Sequence, residues 1–285
     1  MKRTLLAAFM LVSTLAGGTA AAQPVPFNDV GVTMGHWHLI SKDVEANKKL
    51  FLSMGGKLYN PGQPLMMFPG LYINLILGME KGEGGSVGSV VNHVGFSVDN
   101  VQRRVAEWKA RGVTVLPGNN GRMDQAFVET PDGVRIEILE DKTQAVPIRT
   151  DHIHFAMTEA DIPKAVAWYA KVFGGKTGVR NNAPVVDLPG VQLRFLKVDA
   201  KQAPTRHRIL DHIGFDVKDH PSFVKRLQEQ GITLDEPPRK GGANTITYIT
   251  DPWGTRIEII ERGPIGPAVA PTSAMAGKPQ VRQTN

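Results

Sequence analysis

The feature that most constrains this chain is that it repeats itself at domain scale. The segment NHVGFSVDNVQRRVAEWKARGVTV, from Asn92, recurs as DHIGFDVKDHPSFVKRLQEQGITL, from Asp211. In each copy the glycine (Gly112, Gly231) follows the histidine (His93, His212) by 19 positions. Downstream, FVETPDGVRIEILE ending at Glu140 matches YITDPWGTRIEIIE ending at Glu261 without a gap. Upstream, GHWHLISKDVEANKKLFLSMGG from Gly35 corresponds to DHIHFAMTEADIPKAVAWYAKVFGG from Asp151. The unit recurs after about 120 residues, a domain-sized period rather than a solenoid-sized one. The chain is a duplication.

Each half repeats again within itself. A strand of the form His-x-x-Phe/Leu opens at His36, His93, His152 and His212, and a helical stretch follows at 44–54, 101–111, 162–173 and 221–230. Apolar residues there fall at helical spacing, as in Val101, Val105 and Trp108. Glycines close the helices, as C-terminal stop signals predict. Short strand-like runs come next, at 71–77, 126–129, 134–139, 191–198 and 245–249. The expected class is α+β: four tandem βαβββ units, with helices on the outer face of mainly antiparallel sheets. Grouped along the chain, they predict one module over 31–143 and a second over 148–262.

The paired motifs, HWHLISKD with FVETPDGVRIEILE and DHIGFDV with YITDPWGTRIEIIE, resemble the vicinal oxygen chelate superfamily, also called glyoxalase/bleomycin-resistance/dioxygenase. The resemblance runs over about residues 31–262. It implies that two units curl into a cup-shaped half-barrel holding a metal or a ligand. In the strands 134–138 and 255–259, the carboxylates Glu137 and Glu258 alternate away from the apolar face. In the resembled family this position supplies a carboxylate ligand, and the unit-opening histidines supply imidazoles. Carried over within each module, the metal sets are His36, His93 and Glu137, then His152, His212 and Glu258.

Histidine usage points the same way. Of eight histidines, four occupy the unit-opening position, and His38 and His154 stand two residues further on, on the same strand face. His38 and His154 are read either as acid–base groups or as fillers of the cup, and His154 as an alternative ligand to His152. Arg135 and Arg256 either hold an anionic substrate or pair with local carboxylates. Two histidines and one carboxylate form the facial pattern that suits Fe(II) first, and also Mn(II), Zn(II) or Ni(II). The partner is a small molecule presenting vicinal oxygens, bound by a monomer or homodimer.

Three chemistries compete. An extradiol-dioxygenase-like reaction comes first, with Tyr248 and His154 as catalytic groups, because Tyr248 stands ten residues before Glu258 where the first half has Phe127. Two histidines of the extradiol pattern have no counterpart, and Lys197 falls near one of them. A glyoxalase-type lyase or isomerase is the alternative, although its usual fourth ligand is replaced by residues such as Asn74 and Gln192. A non-catalytic drug-binding protein is the third.

Composition limits the remaining options. The net charge of +6 is spread along the chain with no basic run, which disfavours nucleic acid. There is no cysteine, so disulfides, thiolate ligands and thiol nucleophiles are excluded. Residues from Gly263 onward, rich in Pro, Ala and Gly, read as a disordered tail. Residues 1–22 read as a secretory signal: Lys2 and Arg3, an apolar stretch from Leu5 to Leu15, then Ala20-Ala21-Ala22. The mature protein is expected to be secreted or periplasmic and free of the membrane. Mass spectrometry of the exported protein should then find an N-terminus near Gln23; an intact Met1 on a membrane-bound product would refute export with cleavage.

Overall fold

The computed structural model describes residues 25–60, 62–76 and 82–263. The signal segment and nearly all of the proposed tail lie outside them. The four expected units are present. The first comprises β1 (Val32–Ile40), α1 (Val44–Ser53), β2 (Lys57–Leu58), β3 (Leu65–Phe68) and β4 (Leu71–Ile76). The second comprises β5 (Val91–Val98), α2 (Val101–Ala110), β6 (Val115–Pro117), β7 (Gln125–Glu129) and β8 (Arg135–Glu140). The third comprises β9 (Ile148–Met157), α3 (Ile162–Phe173), β10 (Lys176–Arg180), β11 (Ala183–Leu188) and β12 (Val191–Lys197). The fourth comprises β13 (Leu210–Val217), α4 (His220–Glu229), β14 (Glu236–Gly241), β15 (Asn244–Thr250) and β16 (Arg256–Glu261).

Local chemistry sets the helix bounds. Asp43, Asn100 and Asp219 each accept a hydrogen bond from the backbone N–H three residues on, satisfying donors that the first turn leaves open. At the other end the chain turns through glycines with positive φ, at Gly55, Gly112, Gly174 and Gly231. Within each unit the opening strand pairs in parallel with the last one, as β1 does with β4 and β5 with β8. The remaining strands continue antiparallel to an edge.

Units combine differently from their order along the chain. One eight-stranded sheet runs β14-β15-β16-β13-β1-β4-β3-β2, joining the fourth unit to the first. The other runs β10-β11-β12-β9-β5-β8-β7-β6, joining the third to the second. The seams are antiparallel, β1 on β13 and β5 on β9. The modules expected over 31–143 and 148–262 are therefore not the sheet-forming bodies; each sheet takes one unit from each half. Because the halves are duplicates, any odd unit offers a second-type unit the same edge, and the sequence alone does not say which pair forms.

The core lies on the sheet faces opposite the histidines. Strand alternation turns Trp37 away from His36 and His38, and it packs against Phe96 of the other sheet with ring centres 5.1 Å apart. Phe173 of α3 in turn meets Phe215 of β13 at 4.5 Å and Phe223 of α4 at 6.0 Å. One continuous apolar cluster thus serves both sheets. A chain cut by an inserted protease site between Lys142 and Val146 should stay together as one particle by size-exclusion chromatography with light scattering. Separation into two stable halves would contradict the shared sheets.

Candidate metal centres

The two seams bring the predicted site residues into two clusters: His36, His38, His212 and Glu258, and His93, His152, His154 and Glu137. In each, one ligand atom per residue lies within 4.8 Å of the others. All six residues read as ligands fall in these clusters, but His36 and His152 have exchanged places relative to the sets expected within each half. The physical reason is the seam pairing, which sets Gly214 opposite His36 and Gly95 opposite His152.

Those two glycines make the seam possible. A Cβ on Gly214 would sit 2.0 Å from His36 Cε1, and one on Gly95 would sit 2.1 Å from His152 Cε1. The first-type units read His-x-His and the second-type units His-x-Gly, so each site is built from one of each.

Register breaks sit beside the histidines. The β1–β13 register shifts between Met34 and His36 and between His38 and Leu39; β5–β9 shifts between Val91 and His93 and between Gly95 and Phe96. These bulges leave Gly35, Asp211, Asn92 and Asp151 as the extra residues, each just before a unit-opening histidine. A bulge re-aims side chains. Here it turns three of them onto the neighbouring ring: His93 Nδ1 lies 2.8 Å from Asn92 Oδ1, His152 Nδ1 2.7 Å from Asp151 Oδ2, and His212 Nδ1 2.6 Å from Asp211 Oδ1. An acceptor on Nδ1 fixes the proton there and leaves the Nε2 lone pair free. Arg194 and Arg256 hold Asp151 and Asp211 in turn, at 2.5 and 2.9 Å. Sequence reasoning passed over these orienting residues, although Asn-His, Asp-His and Asp-His at the unit starts were legible signals.

The Nε2 nitrogens converge on the carboxylates. His212 Nε2 lies 2.9 Å and His36 Nε2 3.4 Å from Glu258 Oε2. His93 Nε2 and His152 Nε2 each lie 3.0 Å from Glu137 Oε2. Both glutamates are buried; burial raises their pKa, but the imidazoles at each site outweigh it and hold both far below the usual carboxylate range. His36 Nε2 and His152 Nε2 are buried without a hydrogen-bond partner among the described residues. A buried carboxylate with imidazole nitrogens converging on it, two of them without a hydrogen-bond partner, is a donor set that fits a divalent cation.

The residues at position plus two belong to the clusters. The His38 ring lies tilted against His212 with ring centres 4.2 Å apart, and His154 Nδ1 lies 2.9 Å from His93 Nε2. Burial pushes His38 well below the ordinary imidazole range, with His212 and His36 adding to it. Burial, His93 and His152 push His154 down to about 3. Both are neutral bases at neutral pH. Other expectations resolve locally. Arg135 pairs with Glu129 at 3.6 Å, Arg256 with Asp211, and exposed Lys197 with Glu159 at 2.6 Å. Asn74 stands opposite His38 and faces its cavity, whereas Gln192 is taken up by Asp187 and Arg194.

The sites are not equivalent. Tyr248 donates to Glu258 Oε2 at 2.8 Å, while the matching Phe127 cannot and Gln125 donates to Glu137 instead. Burial, then Glu258, raises the Tyr248 phenol well above its usual range, and Arg256 lies over its ring at 4.1 Å. Burial lowers His212, but Asp211 and Glu258 override it and its pKa rises; His93, beside the neutral Asn92, is lowered chiefly by burial. The Tyr248 site opens into a cavity of about 440 Å³ reaching Tyr72, Arg239 and Arg262. The Glu137 site opens into one of about 170 Å³, beside Arg122, Arg180 and Arg194.

This geometry agrees with comparison to known proteins. Residues 152–259 match the Glyoxalase/Bleomycin resistance protein/Dioxygenase superfamily. The structure of glyoxalase I from Zea mays superposes with a TM-score of 0.60 at 15% identity, covering 81% of this chain and 92% of that one. The chain has the vicinal oxygen chelate fold. A candidate dioxygenase from Bacillus subtilis superposes equally, with a TM-score of 0.60 at 14% identity over 82% of this chain and 86% of that one. Among curated sequences, a chloroplastic Arabidopsis thaliana protein assigned as a lactoylglutathione lyase is 32% identical over 92 residues, 31% of this chain and 25% of the relative. The lactoylglutathione lyase GLX1 of the same plant is 23% identical over 125 residues, 39% of this chain and 44% of the relative. The matched part is thus less than half the length of either curated relative.

Anaerobic loading with Mn(II) or Fe(II) followed by elemental analysis should give two ions per chain. Glu258→Ala should remove the ion shared by His36 and His212, and Glu137→Ala the other. If either single variant lost both ions, the two-site partition would be wrong.

Proposed function

We propose that this protein is a divalent-metal-dependent enzyme that rearranges a small substrate carrying adjacent oxygens by moving a proton, as a glyoxalase-type lyase or isomerase does. The observation that carries the proposal is that each cluster holds a third, neutral histidine beside the two-histidine, one-carboxylate set. A three-donor facial set leaves room for a chelating substrate and dioxygen together; a fourth group crowds that arrangement and favours chemistry without oxygen. The curated relatives, all lactoylglutathione lyases by name, support this reading over the extradiol one that the tyrosine suggested.

His36, His212 and Glu258 would hold the ion at the larger site, and His93, His152 and Glu137 at the smaller. When bound, such an ion supplies Lewis-acid polarisation of two adjacent oxygens. His38 and His154, neutral at physiological pH and part of the clusters, are placed to take a proton from the carbon that bears one of those oxygens and return it to the neighbouring carbon that bears the other. Tyr248 keeps its own proton and fixes the Glu258 carboxylate. Arg239 and Arg262 line the larger cavity and would meet an anionic group on the substrate.

A panel of 2-oxoaldehyde–thiol adducts and catechols, assayed with and without air, tests the proposal. Oxygen-independent turnover of the adducts is expected, slowed about 10²–10⁴-fold by His38→Ala with metal retained. Oxygen uptake with a catechol, and no turnover of the adducts, would establish the dioxygenase reading instead.

A further inference from the structure

Three of the four unit-opening histidines take an acceptor on Nδ1 from the bulge residue just before them; His36 follows Gly35 and has none there. We infer that Asp216, reaching across from the facing strand β13, is the positioning residue that orients His36. A Cβ on Gly35 would lie 2.1 Å from Asp216 Oδ1, so the carboxylate occupies the space that a side chain at the bulge would need. Asp216 Oδ1 and His36 Nδ1 are both buried, and neither has a hydrogen-bond partner among the described residues. The two groups interact electrostatically.

The other site shows the same device built the opposite way. There the bulge residue is Asp151, on His152 at 2.7 Å, and the position equivalent to Asp216 is Ser97, whose hydroxyl donates to Gln144 at 2.8 Å. Aspartate and small residue have exchanged strands: Gly35 with Asp216 in one seam, Asp151 with Ser97 in the other. Each aspartate also carries its own arginine. Arg262 Nε holds Asp216 Oδ2 at 2.6 Å, leaving Oδ1 for the histidine, whereas Arg194 binds the same Asp151 oxygen, Oδ2, that meets His152. Arg262 is fixed over the Tyr72 ring at 4.5 Å. A carboxylate on Nδ1 places the proton there, aims Nε2 at Glu258 and raises the basicity of the ring.

The exchange makes a sharp genetic test. In the metal-free full chain, long-range ¹H–¹⁵N spectra of the imidazoles should show His36 protonated on Nδ1. Asp216→Ser should abolish that preference and weaken Mn(II) binding at the His36 site by about 10–100-fold. The His93 site, titrated in the same sample, should keep its affinity and so report an intact fold. Asp216→Asn should keep the tautomer, because Asn92 does this for His93. Gly35→Asp alone collides with Asp216 and should also weaken binding, whereas Gly35→Asp with Asp216→Ser rebuilds the Asp151–Ser97 arrangement and should recover most of the loss, a non-additive pair. An unchanged His36 tautomer in Asp216→Ser, or a double variant no better than Asp216→Ser with the His93 site intact, would overturn the inference. Only the Mn(II) readout rests on the proposed metal function: a wild-type chain that binds no Mn(II) yet keeps the Nδ1 proton would sink that function and leave the role of Asp216 standing.

Discussion

Everything at these sites depends on an imidazole being held by its outer nitrogen. A buried histidine ring can rotate and exchange tautomers, and a ring with the proton on the wrong nitrogen presents N–H where a lone pair is needed. The bulges solve this within one residue of the ring, because the extra residue faces the same way as its neighbour instead of alternating to the far side. Asn92, Asp151 and Asp211 then lock three rings, arginines lock two of the carboxylates, and the inner nitrogens converge on Glu137 and Glu258. Even the glycines at 95 and 214 fit this arrangement, since the rings of His152 and His36 lie where a Cβ would be.

The four units and their helices were legible because their signals are local. Caps at Asp43, Asn100 and Asp219 and positive-φ glycines lie within a few residues of the ends they define. The ligand candidates were legible because the duplication places the same residue at matched offsets. What the sequence did not settle was which units share a sheet. His36 meets His212 rather than His93 because β1 joins β13, a choice between edges that are near copies of each other. The length of the connections was a usable signal: β8 and β9 are separated only by residues 141–147, and they flank the same strand, β5. Asp216 was illegible for a different reason. Its role depends on facing Gly35 across the seam, and nothing near it in the chain reveals that neighbour.

The two pseudo-symmetric sites share a frame and differ in what surrounds it. One has a phenol on its glutamate, an aspartate behind His212 and the larger cavity; the other has an amide on its glutamate, an asparagine behind His93 and a smaller cavity among arginines. The charged partner raises His212 where the neutral one leaves His93 lowered. The same donor set is therefore tuned to different basicity and different ligand size, by residues that touch the ligating groups rather than by the ligating groups themselves.

The crossed pairing of the units has a topological consequence. Among the described residues His36 lies in the first strand and Glu258 in the last, so an ion gripped by both would close nearly all of the described chain into a ring. His93 with His152 and Glu137 closes a smaller loop nested inside it. Clips that join distant points remove the most freedom from an unravelled chain, and a ligand held only by the native state adds its binding energy to it. The outer ion would therefore act as a clasp joining the first described strand to the last, so that peeling of either strand is resisted most while the clasp is shut.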